Sequence, residues 1–155
     1  MDRTRPPTRK PARTPEGVRP WPPWQMLTAS LVFGAAAGGA ATGFNFVRLG
    51  KRQYLIPCIV AGWTVMVVAI ALLMFAVPDH ARRPVAVLIN LAAGMGFMLA
   101  QQAYFDIWKA VNWSPHRRGG YRPNGRGQFL LVCLGTLGME FGLIELMGFL
   151  AEGLR

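Results

Sequence analysis

Residues 54–77, YLIPCIVAGWTVMVVAIALLMFAV, form an apolar run that contains no charged residue. The hydrocarbon core of a bilayer is about 30 Å thick, and a helix needs about 20 residues to cross it. This run is long enough, and it lacks the polar residues that the outer face of a soluble helix carries at every third or fourth position. The stretch therefore predicts a membrane-spanning helix.

Three further apolar runs flank this one in a chain of 155 residues, which is 52% hydrophobic and only 15% charged. Soluble domains average roughly 25% charged residues. These features predict a single-domain, all-α polytopic membrane protein with four transmembrane helices and both termini on one side. The predicted spans are about 24–47, 54–77, 85–103 and 128–151, within a membrane domain of residues 24–155. A helix over about 104–113 is expected to continue the third span along the interface, because this segment is rich in aromatic residues.

The basic residues lie almost entirely outside the apolar runs. Residues 1–23 hold seven of the twelve prolines and six Lys or Arg residues, so a disordered basic tail is expected there. The four-span arrangement places nine Lys and Arg residues on one side and eight on the other, which leaves the orientation open. The basic loops are expected to contact anionic lipid headgroups, or, for the second loop, only to anchor the topology. Their residues are Arg48, Lys51, Arg52, Arg117, Arg118, Arg122 and Arg126. No interleaving of aromatic and basic residues suggests nucleic-acid binding.

Small residues are concentrated in the first, third and fourth runs. Small side chains at every fourth position let helix backbones approach closely in lipid, where the hydrophobic effect does not drive helices together. The glycines predicted to pack between helices are Gly34, Gly38, Gly39, Gly43, Gly94, Gly135, Gly138 and Gly142. The first run carries small residues on two faces, so we expect it inside a bundle. The fourth run is expected to be covered by the protein's own helices or by another subunit.

Two glutamates interrupt the fourth run on opposite faces of its predicted helix. Glu145 matches Asn90 of the third run in depth, and a hydrogen bond between them across a glycine-lined seam is expected. Glu140 lies near the bilayer midplane, where an ionised side chain costs at least about 2.5–3.5 kcal/mol. Two interpretations remain open for Glu140. It is either a neutral acid hydrogen-bonded to the protein, or a proton or cation site or subunit contact.

The stretch FGAAAGGAATGFNFVRLGKRQYLIP, residues 33–57, with AVPD at the end of the second run and a basic GG turn before the fourth, resembles a set of uncharacterised small bacterial membrane proteins. Their typical glycine-rich first span leads into an Asn-aromatic-basic-Leu-Gly-basic element, which is NFVRLGKR here, residues 45–52. The resemblance covers most of residues 25–150. It implies four spans and a location in the bacterial cytoplasmic membrane, and it implies no activity.

The sequence favours a non-catalytic accessory or scaffold subunit that packs with other membrane subunits or with itself. The alternative is a small proton-coupled carrier that uses Glu140, by analogy with small multidrug-resistance transporters, whose single intramembrane glutamate lies in the first span. An enzyme is not expected, because the two histidines, His80 and His116, lie in loops predicted on opposite faces. No zinc-type spacing or phosphate-binding glycine loop is present, so no cofactor and no metal is expected.

Overall fold

The computed structural model describes residues 19–112 and 125–153, and these ranges are all-helical, as the sequence predicts. Within these ranges five α-helices follow one another, with a short 3-10 turn at Arg52–Tyr54 before the third. The helices are α1 (Trp24–Phe33), α2 (Ala35–Arg48), α3 (Leu55–Phe75), α4 (Asp79–Asn112) and α5 (Arg126–Gly153).

The first apolar run is not one helix, because the chain reverses direction at Gly34. The backbone of Gly34 has φ 89° and ψ 167°, a conformation that is essentially restricted to glycine. After this break, α2 runs back along α1, so that the side chain of Ser30 lies against Gly38. We call α1 and α2 together the α1–α2 hairpin.

The start of α1 and the end of α2 lie together at what we call the open end of the hairpin, and contacts there show the same reversal. The backbone N–H of Trp21 donates to Oδ1 of Asn45 at 2.6 Å, and Nδ2 of Asn45 donates to the carbonyl of Trp21 at 2.8 Å. A continuous helix would separate these residues by about 36 Å. The predicted first span, 24–47, is therefore wrong. With 10 and 14 residues, the two helices are about 15 and 21 Å long, and neither crosses a 30 Å core.

Two helical segments are long and apolar enough to cross a membrane, Arg52–Phe75 and Asp79–Asn112. The predicted four-span arrangement is not confirmed. The segment 54–77 corresponds to α3, and 128–151 lies within α5. The third prediction, 85–103, lies inside α4, which runs unbroken to Asn112. The segment 104–112 is thus helical as expected, but as a direct extension of the same helix. Trp113 lies outside the described residues.

Helix α2 occupies the centre of the bundle, as its small residues predict. All residues from Ala35 to Gly43 are buried. Helix α3 packs on one side of the hairpin and α4 on another, whereas α5 contacts only α1 and α2. In the described part of the chain, α4 and α5 do not touch, because the hairpin lies between them. Large apolar side chains of α3, α4 and α5 cover the outer surface, such as Phe75, Leu99 and Leu131.

The predicted boundary of the N-terminal tail is also wrong. Residues 1–18 lie outside the described residues, but Pro20, Trp21 and Pro23 are buried in the bundle. Trp21 packs edge to face against Phe129 of α5, with ring centroids 5.1 Å apart. The segment before α1 therefore belongs to the helical bundle, because Trp21 adds a large buried side chain to a core that the small residues of α2 do not fill.

Candidate functional site at the tip of the hairpin

Glycines hold the hairpin against α3 and α4. A Cβ atom on Gly39 would lie 2.5 Å from the carbonyl oxygen of Cys58 and 2.7 Å from Cα of Gly62, and one on Gly43 would lie 2.7 Å from the carbonyl oxygen of Leu55. On the other side, a Cβ on Gly94 of α4 would lie 2.9 Å from two side-chain atoms of the hairpin, in Leu27 and Ser30. These close approaches bring the backbone of α3 against α2 and the backbone of α4 against α1.

Gly38 is equally enclosed within the α1–α2 hairpin and beneath α4. A Cβ added there would overlap Oγ of Ser30 and lie 3.2 Å from Cδ2 of Phe97. Gly62, which the sequence did not single out, faces Gly39 across the α2–α3 contact. The role of Gly62 could not be predicted from the sequence, because an isolated glycine in an apolar run does not indicate which helix packs against it.

The predicted packing glycines of α5 lie in a different environment. Gly135, Gly138 and Gly142 are exposed, and a Cβ on any of them would meet nothing within 4 Å. They do not pack against another helix of the described chain. The sequence left open whether this helix is covered by the protein's own helices or by another subunit. At these three glycines, the described helices of the protein do not cover it.

A buried polar network fastens the open end of the hairpin. Asn45 pairs with both backbone groups of Trp21, and its Nδ2 also donates to Oε1 of Gln101 at 2.8 Å. Nε2 of Gln101 donates to the carbonyl of Thr42 at 2.8 Å. Asn45 and Gln101 are fully buried. The network joins the segment before α1 to α2 and α4, and it was missed at the level of sequence. The amide side chain of Gln101, which lies within an apolar run, was the sequence feature that could have indicated this network.

Glu140 lies at the closed end, which we call the hairpin tip. A Cβ on Gly34 would be 3.0 Å from Oε2 and 3.2 Å from Oε1 of Glu140, so the carboxyl group sits directly against the break between α1 and α2. Glu140 is fourteen residues after the start of α5, about 21 Å along the helix. That distance equals the length of α2, so the carboxyl group and the helix break lie at the same depth.

Several polar groups close to the tip lack a hydrogen-bond partner. Oε1 of Glu140 is buried without one, and so is Oγ of Ser30, a residue that is fully buried one turn before Gly34. A helix break also leaves backbone N–H groups at the start of α2 and carbonyl groups at the end of α1 without intrahelical partners. The tip therefore places a buried carboxyl group, which can hold a proton, directly beside a helix break, with the unpaired hydroxyl group of Ser30 one turn before it.

The predicted hydrogen bond between Glu145 and Asn90 is not formed. Asn90 is half-buried on α4, and Glu145 is exposed on α5. The expectation assumed that the third and fourth runs are neighbours, but the hairpin separates α4 from α5. Glu145 has no hydrogen bond or ion pair among the described residues.

The predicted headgroup-binding residues fall into two groups. Lys51, Arg52 and Arg126 are exposed. Arg48 instead binds the protein: its guanidinium group lies 4.1 Å from the ring centroid of Trp21, and it donates to the carbonyl of Arg19 at 3.0 Å and to Gln128. Arg117, Arg118 and Arg122 lie outside the described residues.

Comparison with known proteins provides no relative from which a role could be transferred. The sequence matches no family model, no curated protein and no solved structure. The hairpin, its tip and the surface of α5 are therefore the observations from which function is argued.

Proposed function

We propose that this chain is a non-catalytic integral membrane subunit that assembles with another transmembrane helix through α5. The observation that carries the proposal is the isolation of α5: among the described helices, it contacts only the two of the α1–α2 hairpin. Because the hairpin ends at the depth of Glu140, Glu145, five residues farther along α5, lies past the tip.

The surface of α5 supports a protein neighbour over lipid. Glu145 is exposed about 8 Å beyond Glu140, at a depth where a charged side chain facing lipid is costly. Gly138 and Gly142, spaced four residues apart, are open and offer a surface on which a second backbone packs closely. A partner helix on this side would cover the glycines and supply polar groups to Glu145.

The test compares Gly138→Leu with Gly96→Leu, a matched control. Both glycines are helical, exposed and without contacts within 4 Å, but Gly96 is on α4. The chain is extracted gently from its native membrane, and the mass of the complex and the proteins that accompany it are measured. We expect a complex larger than one chain that is lost in Gly138→Leu and kept in Gly96→Leu. A monomer without companions in the unaltered protein would refute the proposal.

A second candidate, a small proton-coupled carrier, is favoured by the surroundings of Glu140. A purely structural neutral acid is expected to be hydrogen-bonded, yet Oε1 is buried without a partner among the described residues. Irregular backbone at membrane depth occurs where it is enclosed by protein or lines a cavity, and broken helices of this kind hold ions in transporters. A carboxyl group at this break would exchange its proton for a cationic substrate.

The carrier is tested in vesicles that contain the purified protein and a pH gradient, with ethidium as the probe cation. Glu140→Gln removes the proton site, and Glu145→Gln on the same helix is the matched control. We expect gradient-driven uptake in the unaltered protein and the control, and none in Glu140→Gln at equal folded abundance. Uptake by Glu140→Gln, or no uptake by the unaltered protein, would exclude this candidate.

A further inference from the structure

Basic residues gather at the open end of the hairpin, which we call the basic end. The described cations there are Arg19, Arg48, Lys51, Arg52, Lys109 and Arg126. Contacts bring them together: Arg48 joins Arg19 to Gln128 at the start of α5, and Nζ of Lys51 lies 5.7 Å from the ring centroid of Tyr104 on α4. Asp106 is the one acidic residue among the described residues of this end, and it accepts from Gln102.

The opposite end of α3 and α4 carries far less positive charge. Its described cations are Arg82 and Arg83. Arg82 forms an ion pair with Asp79 at 2.7 Å and donates to the carbonyl of Val77 at 3.3 Å, so part of its charge is compensated locally. The 21 residues of α3 separate the two ends by about 31 Å, the thickness of a hydrocarbon core.

Aromatic side chains mark the depth of the basic end. The rings of Phe46, Tyr54 and Tyr104 form a cluster with centroids 5.0 to 5.9 Å apart, and the hydroxyl groups of the two tyrosines are 3.4 Å apart. Amphipathic rings of this kind sit at the level of lipid headgroups. Lys51 lies three residues after the end of α2, beside the ring of Tyr104, and Arg52 begins the 3-10 turn that ends at Tyr54. Both charges therefore lie next to this cluster.

We propose that the basic end binds the phosphate groups of anionic lipids in the cytoplasmic leaflet, and that the hairpin enters the membrane from the cytoplasm. This inference rests on the proposed membrane location. Because the hairpin is too short to cross, the start and the end of the hairpin lie on the same side, and six of the eight described Lys and Arg residues are at this end. Basic residues in short loops are retained in the cytoplasm, where anionic lipids attract them.

Lipid binding is tested by extracting the protein in polymer-bounded discs from membranes that contain phosphatidylglycerol and phosphatidylcholine. The paired variant Lys51→Gln with Arg52→Gln is compared with Arg82→Gln and Arg83→Gln at the opposite end. We expect phosphatidylglycerol to be enriched severalfold over the bulk membrane. The enrichment should fall by at least half in the first pair and persist in the second. Equal enrichment in both pairs, or none in the unaltered protein, would overturn the binding surface.

Sidedness is tested with single cysteines at two exposed positions, Gln53 and Pro78, after Cys58→Ser and Cys133→Ala. A membrane-impermeant maleimide applied to intact cells should label Pro78→Cys, and should label Gln53→Cys only after permeabilisation. The reverse pattern would overturn the orientation. Release of the whole protein by an alkaline wash would instead show that the chain is not embedded, which separates failure of the membrane proposal from failure of this inference.

Discussion

Replacing Asn45 with alanine tests the network that fastens the hairpin. The substitution leaves three buried groups without their partner: the N–H and carbonyl of Trp21 and Oε1 of Gln101. A hydrogen bond contributes about 0.5–1.5 kcal/mol net in proteins, and about 0.6 kcal/mol on average between helices in a membrane. Three bonds therefore give a loss of about 2–4 kcal/mol, to which the small cavity left by the amide adds.

The assay is reversible unfolding in mixed micelles, followed by tryptophan fluorescence, because Trp21 is buried beside the altered residue. Asn112→Ala is the matched control, since Asn112 is exposed and its Nδ2 donates only to the carbonyl of Trp108 within its own helix. We expect a large loss of stability for Asn45→Ala and a change below about 0.5 kcal/mol for the control. If the two variants were equally stable, Asn45 would not fasten the hairpin.

Three further predictions concern the hairpin and the topology. Gly39→Ala should destabilise the fold by about 1–3 kcal/mol, because the new Cβ would meet backbone atoms of α3. Gly96→Ala should be neutral or stabilising, and equal effects of the two substitutions in the unfolding assay would contradict the α2–α3 contact. Gly34→Ala should cost about 1–3 kcal/mol through backbone strain, and a silent substitution would place the reversal elsewhere. On the proposed assembly, α5 crosses the membrane together with the two candidate spans, so cysteines at positions 10 and 155 should be accessible from opposite sides. Labelling of both positions from the same side would contradict this odd number of crossings.

Composition was sufficient to predict an all-helical chain with a central first run. The absence of charge in 54–77 and the small residues of 34–43 are local properties, and both α3 and the burial of α2 follow from them. Helix periodicity predicted that Glu140 and Glu145 lie on opposite faces of their helix. Of these two residues, the structure places only Glu140 against the hairpin.

The reversal at Gly34 could not be predicted from the pattern. A run of 24 apolar and small residues has the length of a span, and one glycine among many gives no sign of its φ angle. Two further predictions depended on this error. If the first run crosses the membrane, the third and fourth runs are expected to be neighbours, and Asn90 is expected to pair with Glu145. It also divided the basic residues almost equally between the two sides, because it placed residues 1–23 and 48–53 on opposite faces.

The distance between residues 24 and 44 tests the hairpin most directly. Trp24 and Phe44 are exposed, so spin labels can be attached at Trp24→Cys and Phe44→Cys after removal of the two native cysteines, and the distance measured by pulsed electron paramagnetic resonance in lipid discs. Packed helices lie 8–10 Å apart, so the hairpin predicts a label separation of about 10–20 Å. A single helix through this run would place the labels about 30 Å apart, and that result would contradict the hairpin.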